Sequence, residues 1–197
     1  NKRWYREFIS PFGAIFFFGG FSMLINKDNL EKGEINSRVH KVRAVIQDSN
    51  EKIYVTNMDN SYNLPGGRVE AKEDGKMALV RELREELGIQ VFNKEIKYIG
   101  EFIFWHRGFP KDKDTVNREN KIDLFWLTNT KEVLEERVQL TNYEKHYHFH
   151  LMKCSIDEID ELLQSSSPNF YKRFTDVELS TLLEAFLRYK GEDNYVR

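Results

Sequence analysis

The sequence predicts an α/β (α+β) domain built on one mixed sheet, and three observations carry this. β-branched and aromatic runs recur between residues 38 and 153, a helix-period segment is set between two groups of them, and two more helix-period segments close the chain. Helices placed both between and after strands call for a sheet covered on more than one face. At 197 residues, 40% hydrophobic and 31% charged, the chain can bury a substantial core, and its composition excludes a disordered polypeptide.

Taken in order, residues 1–37 read as an N-terminal extension packed on the domain, and residues 38–197 as the domain with its C-terminal helices. The extension holds an apolar run over residues 12–25, too short for a spanning helix of about 20 residues. Lys2, Arg3 and Arg6 precede it as in a secretion signal, but polar NKDNLEKGEINS follows in place of a small-x-small cleavage site. Gly13, Gly19 and Gly20 break a helix there, so the run is expected to form one or two buried strands. Residues 38–48 and 52–57 read as a hairpin, residues 61–70 as a loop and strand around Pro65-Gly66-Gly67, and residues 72–87 as a helix ended by Gly88. Residues 96–106, 121–128 and 146–153 are expected strands, with an exposed charged loop over residues 107–120. Helices are expected over residues 155–164 and 175–190.

The charge balance narrows the partners. Thirty basic residues face 32 acidic ones for a net charge of −2, with no basic stripe, so a long nucleic acid is not expected. A small anionic substrate handled through a metal ion remains compatible, and no membrane partner is expected. The single cysteine, Cys154, has no partner for a disulfide and fits a reducing cytoplasm as a packed strand residue.

The helix over residues 72–87 poses the chemical question. At 100° per residue, Met77, Leu79, Val80, Leu83 and Leu87 form its packing face, while Glu82, Glu85 and Glu86 share an adjoining arc roughly 100° wide. Like charges at these spacings cost a few tenths of a kcal/mol per pair. Arg81 offsets part of this through Glu85 but cannot neutralise three carboxylates. Hard oxygen ligands on a rigid helix suit Mg²⁺ or Mn²⁺, which share their shell with substrate phosphates. Gly66 and Gly67 let backbone approach an ion or phosphate closely.

The segment satisfies G-x5-E-x7-R-E-U-x-E-E-x-G-U (U aliphatic) through Gly67, Glu73, Arg81, Glu82, Leu83, Glu85, Glu86, Gly88 and Ile89. At background frequencies, a chance match is on the order of one in ten million. The segment resembles the Nudix box, and the chain is similar to Nudix hydrolases. The resemblance implies an α/β/α sandwich with a mixed sheet over about residues 38–164, and hydrolysis of a nucleoside diphosphate linked to another group with Mg²⁺ or Mn²⁺. It implies Glu85 and Glu86 as metal ligands, the Gly66 or Gly67 carbonyl completing the shell, and Glu82 as ligand or general base. Arg81 would orient a neighbouring glutamate, and Glu73 would support the loop or hold a water. A homodimer is a family expectation.

Other residues are candidates on position. Glu144, just before an expected strand, is the candidate for a further metal ligand. His146, His148 and His150 alternate on one expected strand face, where a phosphate contact from His146 competes with a merely polar surface. Trp105, Phe109 and Tyr62 are candidates for stacking on a base, against plain core packing. Arg68 and Glu73 join His146 and Trp105 as the expected substrate-binding set. Two rival functions are a nucleotide-sensing module that keeps the fold without catalysis, and an isoprenoid diphosphate isomerase, which would need Cys154 in the site.

Overall fold

The computed structural model describes residues 15–17, 20–111, 114–128, 133, 137–165 and 172–193. Among these, eight strands form one sheet: β1 (Ile15–Phe17), β2 (Gly20–Ile25), β3 (Ser37–Gln47), β4 (Ile53–Met58), β5 (Ser61–Asn63), β6 (Lys97–Lys111), β7 (Asp114–Thr128) and β8 (His150–Cys154). Their order is β1-β2-β6-β7-β3-β4-β5, with β8 on β4. The pairs β2–β6 and β3–β7 are parallel and the rest antiparallel, so the sheet is mixed, as the sequence predicts. The described residues also form four α-helices: α1 (Gly75–Leu87), α2 (Asn142–His146), α3 (Ile156–Ser165) and α4 (Lys172–Asp193).

Alternation along β3 sorts the two layers. Val42, Ala44 and Ile46 point to one face and pack with Ala78, Leu79, Leu83 and Leu87 of α1. Val45 points to the other, into a core of Phe102, Phe104, Ile122 and Leu124 covered by Leu179, Leu182 and Phe186 of α4. Each fully buried leucine of α1 contributes about 2 kcal/mol by removal from water. Met77 departs from the expected packing face and is 54% exposed, because the buried arc is centred on Leu79 and Leu83 and takes in Ala78 and Glu86 instead.

The expected hairpin of residues 38–57 is corrected in a way that matters for the site. The Asp48 turn closes it, but β3 and β4 pair only at Gln47 and Ile53. Beyond that pair β4 splays away to meet β5 and β8. The edge of β3 thus vacated is taken by the glycine loop: Val42 N–H donates to Gly67 O (2.9 Å), Ala44 N–H to Pro65 O (3.0 Å), and Val69 N–H to His40 O (3.0 Å).

Two further expectations are revised. Residues 107–111 and 114–120 continue β6 and β7, with Phe109 opposite Val116 and Lys111 opposite Asp114. Residues 146–149 are not strand. Thr141 and Glu144 form a reciprocal capping box that starts α2, His146 ends that helix, and His148 has φ +50°. The alternating histidine face therefore does not exist; His150 alone of the three lies in β8. The N-terminal apolar run is strand where it is described: β1 and β2 extend the sheet beside β6, and Met23 and Ile25 pack on the core. Residues 12–14 and 18–19 lie outside the described residues. Among the described residues, no helix is long and apolar enough to cross a membrane.

Candidate active site

Helix α1 is set by its ends. Asp74 caps the start by accepting from Met77 N–H (2.8 Å), and Gly88 ends it at φ +66°, donating to Arg84 O (3.1 Å). The carboxylates of Glu82 and Glu86 then face the loop that β3 holds, while that of Glu85 meets Arg81. Gly66, at φ +128°, is a backbone position that only glycine adopts without strain; a Cβ there would run into the backbone carbonyl of Val42. Gly67 answers a different need, since a Cβ would lie 2.6 Å from Glu82 Oε2. Its missing side chain is the space the Glu82 carboxylate occupies.

Arg81 is the hub of the acidic cluster. Its guanidinium donates to Glu73 Oε1 (2.7 Å), Glu82 Oε1 (2.8 Å), Glu85 Oε2 (3.2 Å) and the Arg68 carbonyl (2.9 Å). These bonds, that to Glu73 foremost, raise the Arg81 pKa further above its already high value, and the Arg81 hydrogen bond holds Glu73 below the usual carboxylate range. Glu86 lies outside this fork. It is 6% exposed, and its Oε2 accepts from Gly66 N–H at 2.8 Å. Burial pushes its pKa up to about 8, with the Gly66 hydrogen bond and Arg43 opposing and Glu82 and Glu144 adding to the rise. Burial also raises Glu82, against the pull of Arg81.

A cation fits this chemistry. Glu86 is a buried carboxylate that no ammonium or guanidinium contacts directly among the described residues, and ionising it calls for positive charge nearby. The donors are hard oxygens, as Mg²⁺ and Mn²⁺ require. No group of three His, Cys, Asp or Glu side chains forms a ready-made cage among the described residues, since Arg81 draws Glu82 and Glu85 toward itself. Both glycine carbonyls carry one donor already: Gly66 O accepts from Arg43 Nη1 and Gly67 O from Val42 N–H.

The remaining sequence candidates are dispersed. Glu144 is close enough to Glu86 to raise its pKa, yet its carboxylate accepts from Thr141 N–H (2.6 Å) and Oγ1 (2.8 Å) in the α2 cap. Arg68 is exposed, with its backbone bridged to Lys41. His146 is exposed at the end of α2, its ring 4.9 Å from that of Tyr147. Trp105 is half-buried on β6, donating to Glu119 Oε2 on β7 (2.9 Å). Tyr62 packs in the core beneath α4, and the Phe109 side chain lies outside the described residues. Cys154 is buried at the end of β8, and burial raises its thiol pKa, the opposite of what activates a cysteine.

Two residues next to the glycine loop have no place in the sequence reading. Arg43 lies on the α4 face of β3, and Glu178 on α4; they are 9% and 4% exposed. Arg43 Nε donates to Glu178 Oε1 at 3.0 Å while Nη1 reaches Gly66 O, and Lys41 Nζ lies 3.4 Å from Glu178 Oε2. Burial favours the neutral acid, but Lys41 and Arg43 outweigh it and hold Glu178 down to about 2. A signal was present: Glu178 shares a helix stripe with Phe174 and Leu182, where a charge is out of place.

Comparison with known proteins agrees with this architecture. An Ap4A hydrolase of C. elegans, solved as a binary complex, superposes with a TM-score of 0.50 at 14% identity, covering 78% of this chain and 98% of that one. The ORF135 protein of E. coli is 25% identical over 81% of this chain and 95% of its own, with a TM-score of 0.44. MutT described from Aliivibrio salmonicida and Vibrio cholerae is 23% identical over 62% of this chain and 82% of its own, with a TM-score of 0.41. No curated protein matches the chain in sequence. The NUDIX domain model matches residues 38–174, which takes in the glycine loop, α1 and the strands from β3 to β8, and the chain belongs to the Nudix hydrolase family.

Proposed function

We propose that the chain hydrolyses a diphosphate linkage in a small nucleotide, a nucleoside diphosphate joined to another group, with Mg²⁺ or Mn²⁺ held by Glu82, Glu85 and Glu86. The observation that supports this most is the buried Glu86 carboxylate, held by Gly66 N–H at the head of an arc of three glutamates. A divalent ion bound there supplies neutralising charge to phosphate oxygens and lowers the pKa of a water. Arg81 fixes the direction of Glu82 and Glu85, and the Gly66 N–H fixes that of Glu86. Glu82, as ligand or general base, is the candidate to take the proton from an attacking water. Glu144 is the candidate for a further ligand. Arg68, Glu73, His146 and Trp105 are the residues to test for substrate contact.

The test is turnover of a nucleotide panel in Mg²⁺ and Mn²⁺: nucleoside triphosphates, ADP-ribose, NADH, nucleotide sugars, and Ap4A, which the nematode relative's name gives as its substrate. Hydrolysis in ¹⁸O-water should place the label on a phosphate product, as attack on phosphorus requires. Turnover of one class, lost in Glu85→Gln, supports the reading. Binding of a nucleotide by folded protein with no turnover of any panel member replaces it with the sensor.

A further inference from the structure

The clamp on Gly66 has its far end in another layer of the fold. Gly66 is held from both sides: its N–H by Glu86 and its C=O by Arg43. Arg43 does not act alone, because its Nε is fixed by Glu178 on α4, which Lys41 also approaches. A buried ion pair is weak support for stability, since an apolar pair of similar volume often does as well or better. Geometry is what this one provides. A planar guanidinium that bonds a carboxylate through Nε and a carbonyl through Nη1 fixes the carbonyl's direction, which a lysine in the same place could not do.

We propose that Glu178 is a positioning residue for the glutamate site: through Arg43 it fixes the Gly66 peptide groups on which Glu86 is aligned. The proposal rests on the function proposed above for its catalytic readout, but not for its structural one. It makes α4, which carries none of the box residues, part of the machinery that holds the metal-binding carboxylate in place. Among the described residues Glu178 bonds Arg43 and Lys41 rather than the box glutamates, so its loss should lower kcat and leave KM alone.

Three variants test it: Glu178→Gln, Arg43→Lys and the apolar double variant R43M/E178M. Amide exchange at Gly66, compared with that at Val45 in the core, reads the clamp without any substrate. Glu178→Gln and Arg43→Lys should each speed exchange at Gly66 at least about tenfold while Val45 keeps its protection, and should lower kcat at least about tenfold at constant KM. Their combination should be no worse than either alone, as for two members of one chain of contacts. The apolar pair should recover thermal stability without recovering kcat or slow exchange at Gly66. If folded Glu178→Gln keeps wild-type exchange at Gly66, or if R43M/E178M keeps wild-type kcat, the positioning role is refuted. Failure of the wild type to turn over any nucleotide would count against the hydrolase reading and leave the Gly66 exchange result to decide this one.

Discussion

Replacing Gly67 by alanine should separate activity from stability. The new Cβ would run into the whole Glu82 carboxyl group, Oε1 and Cδ lying nearer still than Oε2 at 2.6 Å, whereas an uncrowded contact needs about 3.5 Å, so the carboxylate must move by more than about 1 Å. What yields is the far end of a side chain. The folded state therefore loses little more than the 2.8 Å bond from Arg81 to Glu82, about 1 kcal/mol for a half-buried pair. Gly67 is not in the left-handed region, so alanine returns about 0.4–1 kcal/mol by stiffening the unfolded chain. The two nearly cancel, and Tm should stay within a few degrees of the wild type. Activity should not survive so well, since displacing a catalytic group by about 1 Å can cost on the order of 100-fold. Gly66→Ala is the contrast. At φ +128° with the Val42 carbonyl in the way, it should cost at least about 1–3 kcal/mol and lower Tm as well as kcat. The assay is kcat on the best panel substrate beside a thermal melt of each variant. Gly67→Ala with kcat within about threefold of wild type would refute the claim that the vacancy above Gly67 sets the Glu82 carboxylate.

Two predictions concern pH. Burial raises Glu86 to about 8, so between the ordinary carboxylate range and pH 8 the folded chain keeps a proton that the unfolded chain has released. Stability without metal must then fall as pH rises through that window, and Glu86→Gln should melt higher than wild type at pH 8 in EDTA, the gap closing near pH 4.5. Equal melting temperatures at pH 8 would count against a desolvated Glu86. His106 is 7% exposed, lies between Phe104 and Phe174, and has a buried Nε2 without a hydrogen-bond partner among the described residues; burial lowers its pKa to about 4. Unfolding lets it gain a proton below about 6.5, so stability is lost as pH falls from there to about 4, and His106→Phe should flatten that limb without lowering Tm at pH 7. A large loss of Tm at neutral pH would show that the imidazole has a partner after all.

The site was legible where its parts are close in sequence. Gly67 to Ile89 carries the turn, the helix and its carboxylates within one helix length, and helical spacing alone brings Glu82, Glu85 and Glu86 together. Tertiary choices were harder to read. Nothing local says that β3 would give its edge to the glycine loop, because the Asp48 turn reads as a hairpin and β4 departs only to reach β5 and β8. The extension of β6 and β7 through residues 107–111 and 114–120 was hidden by polar residues, among them Arg118 and Asn120, which the fold buries. The misread histidine strand had a readable warning, Thr141-x-x-Glu144, whose capping box outcompeted the alternation that follows it. Arg43 and Glu178 stand 135 residues apart and meet only because α4 folds back over the sheet.

The most direct test of the central claim is a Mn²⁺ titration followed by electron paramagnetic resonance, on the wild type and on Glu86→Gln at pH 8. The account predicts that the wild type takes Mn²⁺ out of solution at micromolar to millimolar concentration, and that Glu86→Gln, folded and thermally stable, binds at least about tenfold more weakly. Equal binding by both proteins, or none by the wild type, would contradict a divalent cation held by the buried carboxylate of α1.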